Sequence, residues 1–213
     1  MDELKDLLTP QNCALVLIDH QAGLAFAVQS MDRQVLLNNA VALTKTAGVF
    51  GMPIVASTSA SKVYSGPLLP AVQAAAPNVV AIERRSMNAW EDDTAREAIK
   101  ATGRQKLLFS GILTEACVSF PVLSSLAAGY EAYVVADACG GATRESHDLA
   151  LNRLAHRGAQ MTSWLQVLLE LQRDWTRRET YAGATDIIKQ NGGGYGIGLN
   201  YAREMLTPKP SGA

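Results

Sequence analysis

Continuously apolar segments alternate with helix-length segments along most of the chain. Apolar runs without polar alternation are typical of strands that are buried on both faces of a sheet. The candidate strands are Cys13–Asp19, Pro53–Thr58, Val79–Ile82, Lys106–Ile112, Ala132–Ala136 and Gln160–Ser163. The candidate helices are Gln34–Phe50, Asp93–Thr102, Glu115–Ala128, Glu145–Arg157 and Trp164–Arg173. This order predicts an α/β fold with one parallel sheet and helices on both of its faces.

Three stretches do not follow the alternation. Gln21–Met31 and Ser59–Gln73 follow strand ends and contain Gly, Ser and Pro, which predicts loops over the carboxyl edge of the sheet. Residues 191–200, NGGGYGIGLN, have neither helix nor strand period, and no strand precedes them as a phosphate-binding loop requires. We therefore divide the chain into a domain over 1–178 and a C-terminal tail over 179–213. The tail either reaches a neighbouring subunit or packs back on its own domain.

Composition and charge narrow the class of protein. A chain of 213 residues that is 48% hydrophobic with a net charge of −1 is long enough for one well-cored domain, and it gives no reason to expect nucleic acid or a membrane surface as partner. No apolar stretch approaches the roughly 20 residues that span a bilayer. The beginning of the sequence, MDELKDLLTPQN, lacks signal-peptide features, and the odd number of cysteines fits a reducing compartment. We expect a soluble cytoplasmic protein.

The segment Lys106–Phe120 carries the strongest chemical signal. An apolar strand ends in Ser-Gly, a turn follows, and Cys117 then opens a helix. A helix N-terminus lowers the pKa of a thiol, and its free N–H groups can hold an oxyanion; a buried structural thiol is the alternative. Cys139 also follows a strand and is the rival nucleophile, although no helix begins directly at its position. Cys13 begins a strand and is expected to be buried and inert.

Ionisable side chains follow two other predicted strands. Asp19 ends the first strand, and Arg84 and Arg85 follow the third. A turn aspartate and a solvated charge cluster are the alternatives. Because strand ends converge at one edge of a doubly wound sheet, we expect Asp19, one arginine and Cys117 to supply a base, a charge partner and a nucleophile. The three histidines are too scattered for a zinc site, and no G-x-G-x-x-G follows the first strand, so neither a metal nor another cofactor is predicted.

These motifs resemble the isochorismatase-like cysteine hydrolases, and among them the YcaC-like subgroup. The resemblance runs from about Cys13 to Trp175. It is carried by LVLIDHQAGL (15–24), RRSMNAW (84–90), SGILTEACVSFPVLS (110–124), VVADACG (134–140) and HRGAQMTSW (156–164). It implies a Rossmann-like three-layer α/β/α fold with a six-stranded parallel sheet, and a homo-oligomer larger than a dimer.

The resemblance also assigns roles to individual residues. By position, Asp19 matches the family's aspartate and Cys117 its nucleophile. The family's basic residue is usually a lysine, and the spacing to Asn88-Ala89-Trp90 points to Arg84, with Arg85 as second choice. An arginine can stabilise charge but cannot share a proton as a lysine can. The remaining positions are oxyanion donors at Ala116 and Cys117, substrate-binding residues Gln21, Thr58 and Trp90, and a non-proline cis peptide at Leu113–Thr114.

Two functions follow from this reading. In the first, the protein is a cysteine hydrolase that acts on a small amide, imide or related C–N acyl substrate through a thioester. Cys117 attacks the carbonyl, Asp19 accepts the thiol proton, and Arg84 stabilises charge nearby. In the second, the protein is an oligomeric binding or scaffold protein that keeps the fold with little turnover. The arginine in place of the usual lysine keeps the second reading open.

Overall fold

The computed structural model describes residues 7–206. Six parallel strands form one sheet in the order β3-β2-β1-β4-β5-β6. The strands are β1 (Cys13–Ile18), β2 (Ile54–Ser59), β3 (Ile82–Arg84), β4 (Lys106–Ile112), β5 (Glu131–Gly140) and β6 (Gln160–Thr162). The prediction of a six-stranded parallel sheet is confirmed. The strand order reverses between β1 and β4, and ligands of open α/β sheets bind outside the carboxyl ends at such a point.

Helices cover both faces of the sheet and complete the three layers. They are α1 (Ala22–Ala25), α2 (Arg33–Val49), α3 (Pro70–Ala75), α4 (Asp93–Ala101), α5 (Ser119–Ala127), α6 (Arg144–His156), α7 (Trp164–Gln172), α8 (Arg178–Asn191) and α9 (Gly194–Tyr201). Two π-helical segments, Thr114–Val118 and Ala202–Leu206, precede α5 and follow α9. Within residues 7–206, no helix has both the length and the apolar character needed to cross a membrane.

The sheet separates two apolar cores, which explains the continuous hydrophobicity of its central strands. Leu15 and Leu17 of β1 pack in one core with α2, α7 and α8. Val16 and Ile18 pack in the other core with α4, α5 and α6. Every residue of β1 and β4 is buried, because both faces of these strands are covered.

Several predicted boundaries need correction. The segment Gln21–Met31, predicted as a loop, contains the short helix α1, and α3 overlaps the end of the predicted loop Ser59–Gln73. The third strand spans Ile82–Arg84 rather than Val79–Ile82, because it pairs only with the end of β2, where Ser59 lies opposite Arg84. The apolar run before it is therefore not the paired segment.

The C-terminal segment is helical in α8 and α9, although residues 191–200 show no helical period in the sequence. Ala184, Ile187 and Ile188 of α8 lie in the core shared with α2. The side chain of Asn38 donates to the carbonyl of Asn191 at 3.0 Å, which ties the two helices together. Of the two expectations for this segment, packing on its own domain holds for α8. The ends of the predicted units, residues 1–6 and 207–213, lie outside the described residues.

The glycines that obscured the helical pattern have a packing role. A Cβ atom on Gly196 would lie 2.5 Å from the carbonyl oxygen of Ile188. Only glycine therefore allows α9 to approach the end of α8 this closely. The same residues weaken the periodic signal of α9 in the sequence.

Candidate active site

Asp19 lies directly after β1, at the point where the strand order reverses. Its backbone has a φ of 52°, which is unusual for a residue with a side chain. The amide of Asp19 donates to the carbonyl of Ser57 at 3.0 Å, and its carbonyl accepts from the amide of Gln21 at 2.7 Å. These bonds hold a backbone conformation that costs about 1–3 kcal/mol when it is not enforced. Strained conformations of this kind are common at functional sites.

The carboxylate of Asp19 is buried and asymmetrically bonded. Its Oδ2 forms an ion pair with Nη2 of Arg84, and both side chains are fully excluded from solvent. The hydroxyl of Ser59 donates to the same oxygen at 3.2 Å. Oδ1 makes no well-formed hydrogen bond with the described residues. Burial raises the pKa of Asp19, while the Arg84 guanidinium and a hydrogen bond from the Cys117 thiol act to lower it, so the carboxylate is more basic than usual.

Arg84, not Arg85, forms the ion pair with Asp19. All three guanidinium nitrogens of Arg84 donate to protein oxygens: Nη2 to Asp19, Nη1 to the carbonyl of Ser86, and Nε to the hydroxyl of Ser57 at 3.4 Å. Arg85 is exposed. Arg84 is the last residue of β3 and is buried, whereas Arg85 follows the strand and faces solvent.

Cys117 lies in the π-helical segment Thr114–Val118, and its side chain is partly exposed. The thiol and the Asp19 carboxylate are close enough for each to shift the pKa of the other. Burial raises the pKa of the thiol, the negative charge of Asp19 raises it further, and Arg84 opposes both. The helix N-terminus alone predicts a lowered thiol pKa, whereas burial and the neighbouring carboxylate act in the opposite direction. Cys117 is a thiol beside a base rather than a preformed thiolate.

The other two cysteines are inaccessible. Cys139 is 0% exposed, and burial raises its pKa to about 12. Cys13 is equally buried and its pKa is raised to about 12, again by burial. Thiols of this kind do not ionise near neutral pH. Cys117 is therefore the one cysteine of the three that combines access with a base.

Hydrogen bonds connect the turn that carries Cys117 to the start of α6. The hydroxyl of Thr114 and Nδ1 of His147 are 2.8 Å apart. Oε1 of Glu115 accepts from the amide of Ala142 at 2.9 Å and from the hydroxyl of Ser146 at 3.1 Å. The sequence analysis missed these contacts, and nothing in the spacing of Glu115 and Ser146 signals them.

The backbone around this turn differs from the prediction in two details. The non-proline cis peptide bond joins Ile112 to Leu113, so the predicted position Leu113–Thr114 is wrong by one residue; β4 ends at Ile112, and the bond lies directly at that end. The amide of Ala116, one of the two expected oxyanion donors, already donates to the carbonyl of Leu113 at 3.2 Å. An oxyanion would have to compete with that carbonyl.

The three expected substrate-binding residues make contacts within the protein. Gln21 is fully buried and clamps the following loop: its Nε2 donates to the carbonyls of Ser59, at 3.0 Å, and Gly66, while its Oε1 accepts from the amide of Ser59 at 2.9 Å. The hydroxyl of Thr58 donates to Glu83 at 2.9 Å.

Trp90 is the third of these residues, and it lies in the core. It packs edge-on against Tyr130 with ring centroids 5.3 Å apart, and Tyr130 precedes β5 at the opposite, amino edge of the sheet. The described contacts of Gln21 and Thr58 therefore lie at the carboxyl edge of the sheet, whereas that of Trp90 lies in the core.

His20 adds a neutral imidazole beside Asp19. The hydroxyl of Ser110 donates to the carbonyl of Ala138 at 2.7 Å, so its oxygen accepts from Nε2–H of His20 at 2.7 Å. The ring is fully buried, and burial lowers its pKa to about 4. Within residues 7–206, no three His, Cys, Asp or Glu side chains are grouped to hold a metal ion.

The sequence is similar to those of known hydrolases. The family model for the isochorismatase domain matches residues 13–166. Probable hydrolase YcaC of Escherichia coli (strain K12) is 38% identical over 169 residues, which are 79% of this chain and 81% of that protein.

Two solved structures are similar to the whole fold. The YcaC gene product of Escherichia coli, described as an octameric hydrolase of unknown specificity, has a TM-score of 0.89 and 35% identity over 95% of this chain and 98% of that one. YcaC from Pseudomonas aeruginosa, solved with hexane-2,5-diol and covalent acrylamide, has a TM-score of 0.87 and 34% identity over 92% of this chain and 96% of that one. The resemblance that the motifs indicate is confirmed.

Proposed function

The chain belongs to the isochorismatase family of hydrolases, and from that premise we propose that it is a cysteine hydrolase of small C–N acyl compounds. The substrates in this proposal are amides, imides or related compounds, and the reaction passes through a thioester on Cys117. One observation supports it above the others: the partly exposed thiol of Cys117 lies beside a buried carboxylate that has one oxygen free. A nucleophile next to its base is the arrangement that covalent catalysis requires.

The first step uses Asp19 as a general base. The pKa of Cys117 is raised by burial and by Asp19, so the resting sulfur carries its proton. As the sulfur attacks the carbonyl carbon, the proton moves to Asp19, and Oδ1 is the oxygen available to accept it because Oδ2 is held by Arg84 and Ser59. A carboxylate whose pKa is raised accepts this proton more readily than an exposed aspartate would.

The tetrahedral oxyanion then forms beside the turn that carries Cys117. In this mechanism the amide N–H of Cys117 donates to it, and the N–H of Ala116 joins by exchanging the carbonyl of Leu113 for the oxyanion. When the C–N bond breaks, Asp19 returns its proton to the leaving nitrogen. The products of this half-reaction are the free amine or ammonia and an acyl group in thioester linkage to Cys117.

Water completes the cycle. Asp19, again a carboxylate, takes a proton from a water molecule as that oxygen attacks the thioester carbonyl. The C–S bond breaks, the proton returns to sulfur, and the carboxylic acid leaves. Arg84 takes no part in proton transfer, because an arginine stays protonated; its role is to hold Asp19 in place and to stabilise its charge.

The Pseudomonas aeruginosa relative supports an accessible nucleophile by analogy. That protein was solved with covalent acrylamide. Acrylamide is a small amide whose alkene accepts thiols. An equivalent reaction is expected at Cys117.

We also propose a homo-oligomer larger than a dimer, located in the cytoplasm. The Escherichia coli relative is described as octameric. On α9, the side chains of Tyr195, Ile197 and Tyr201 are 40%, 71% and 57% exposed, and in this proposal a neighbouring subunit covers them. Light scattering on the full chain tests this assembly, and a monomer would contradict it. Alanine at all three positions tests whether α9 takes part.

A binding or scaffold role with little turnover is the second candidate. The engagement of the Ala116 amide by Leu113 favours it, because an occupied donor weakens the oxyanion site. A screen of small amides, imides and ureides for acid release separates the two functions, with Cys117→Ala as the blank. Release that depends on Cys117 supports the hydrolase. The same background rate in both proteins across the screen supports the scaffold.

A further inference from the structure

We propose that the acyl site selects carboxamides that carry no charge next to the reacting carbonyl. This inference rests on the proposed hydrolase function and narrows its substrate class. It concerns the groups within a few bonds of the carbonyl, and leaves the distant part of the substrate open. Three observations support it. Arg84 donates all its observed hydrogen bonds to protein oxygens, Oδ1 of Asp19 has no well-formed hydrogen bond, and Cys117 lies beside both side chains.

Arg84 cannot bind a substrate carboxylate. Its side chain has no exposed surface, and each of its three guanidinium nitrogens donates to a protein oxygen. A substrate anion would have to displace Asp19, which is itself fully buried and ion-paired with Arg84. Removing one partner of a buried ion pair leaves an uncompensated charge, which is strongly unfavourable. The positive charge of Arg84 is therefore paired with Asp19 inside the protein and does not face a substrate.

Asp19 adds a preference for hydrogen-bond donors. Its Oδ1 is buried and without a well-formed hydrogen bond in the described chain. The N–H of a carboxamide satisfies this oxygen, whereas a carboxylate brings only acceptors and a like charge. A buried polar group without a hydrogen-bond partner is unfavourable, so an amide N–H that bonds to Oδ1 stabilises the bound substrate. A carboxylate cannot make this bond and is repelled.

The labelling rate of the Cys117 sulfur depends on the charges of Asp19 and Arg84. Among the charges that act on its sulfur, those of Asp19 and Arg84 have the largest effects, and that of Asp19 is the larger of the two. A substrate anion near the sulfur therefore meets the Asp19 carboxylate, while Arg84 is already engaged with protein oxygens. Asp19→Asn removes this negative charge and leaves that of Arg84, so it should weaken the preference for the uncharged reagent.

Two alkylating reagents of equal size test the inference without any turnover. Iodoacetamide and iodoacetate both form a C–S bond with loss of iodide, the thiol proton passing to solvent, and they differ only in charge. The quantity measured is the rate of iodoacetamide labelling at Cys117 divided by the rate of iodoacetate labelling. Peptide mass spectrometry gives both rates. The same ratio at Cys117 in the urea-unfolded chain is the reference. Because both reagents use the same thiolate, the ratio does not depend on the thiol pKa.

In the folded protein we expect the ratio of the iodoacetamide rate to the iodoacetate rate to exceed the reference by roughly tenfold, the scale of a like charge at short range from the sulfur. In Asp19→Asn the ratio should fall below that of the wild type. Cys13 and Cys139, which are buried, are the internal controls and should remain unlabelled. A wild-type ratio equal to the reference or below it would overturn the inference, as would a Cys117 that neither reagent labels.

Hydrolysis of a matched pair separates this inference from the proposed function. Succinamide and succinamate differ in one terminal group, an amide against a carboxylate. We expect Cys117-dependent hydrolysis of succinamide and little or none of succinamate. If neither is hydrolysed, the proposed function loses support while the labelling ratio still decides the charge preference. Faster hydrolysis of succinamate overturns the charge preference and leaves the hydrolase function standing.

Discussion

Asp19 and Arg84 form an ion pair that reaches across the end of β2, since they extend from β1 and β3, which are not neighbours in the sheet. Ser57 and Ser59 of the intervening strand bond to Arg84 and Asp19, respectively. The pair is therefore part of the structure as well as of the site. It joins one edge strand to the centre of the sheet.

Replacing Arg84 tests this structural role. Arg84→Gln should lower the free energy of unfolding by about 3–5 kcal/mol at pH 7, because it leaves the buried Asp19 carboxylate without its partner. Urea unfolding gives the value. Arg85→Gln is the matched control: this neighbour is exposed, and its effect should stay within about 0.5 kcal/mol. Equal effects of the two substitutions would contradict the assignment of Arg84.

Replacing Asp19 should separate catalysis from thiol ionisation. Asp19→Asn removes the proton acceptor, so kcat/KM should fall by about 10²–10⁴-fold. The pKa of Cys117 should fall in the same variant, because the negative charge that raises it is gone while Arg84 remains. The pH dependence of iodoacetamide labelling at Cys117 measures this shift. Glu83→Gln, a nearby exposed carboxylate, is the control and should change neither quantity appreciably. An unchanged or higher labelling pKa in Asp19→Asn would contradict the arrangement.

Ser59 should tune the basicity of Asp19. Its hydroxyl donates to Oδ2 and lowers the pKa of the carboxyl. In Ser59→Ala the pKa of Asp19 should rise, and the acid limb of the kcat/KM profile should move to higher pH. Ser61→Ala, in the same loop but bonded to Glu83, should leave the profile in place. A purely structural role for Ser59 predicts a lower rate with no movement of the limb.

His20 should make the protein sensitive to mild acid. Burial lowers its pKa from 6.5 to about 4, so the folded state holds the neutral ring while the unfolded chain takes up a proton. Stability is complete above pH 6.5 and falls as the pH drops towards 4, by about 3 kcal/mol in total. Urea unfolding of the wild type and His20→Asn over this range isolates the contribution, because Asp19 titrates in both proteins. Parallel pH dependences would show that His20 contributes nothing.

The sequence predicted the parts of the site that depend on strand order. Asp19 and Cys117 follow apolar strands, and parallel strands bring their carboxyl ends to one edge, so their proximity follows from the pattern alone. The choice between Arg84 and Arg85 is different. This choice depends on the register of β3, a strand of three residues that the apolar pattern placed too early in the chain. In the structure, Arg84 is buried.

Contacts between distant loops were not predictable from one sequence. The clamp of Gln21 on Ser59 and the hydrogen bond from Ser59 to Asp19 join residues about forty positions apart by hydrogen bonds that leave no periodic trace. The environment of the thiol was also not predictable. The helix N-terminus can be read from the sequence, whereas the stronger effects of burial and of the Asp19 charge on Cys117 depend on three-dimensional packing.

The central claim is that Cys117 carries the acyl group during hydrolysis of an uncharged carboxamide. Peptide mass spectrometry after acid quenching of the enzyme mixed with succinamide tests it most directly. We expect an acyl mass on the Cys117 peptide during turnover, its disappearance when substrate is exhausted, and neither acyl mass nor ammonia release in Cys117→Ala. Ammonia release at the wild-type rate by Cys117→Ala, or an acyl mass on Cys139 instead, would contradict the account.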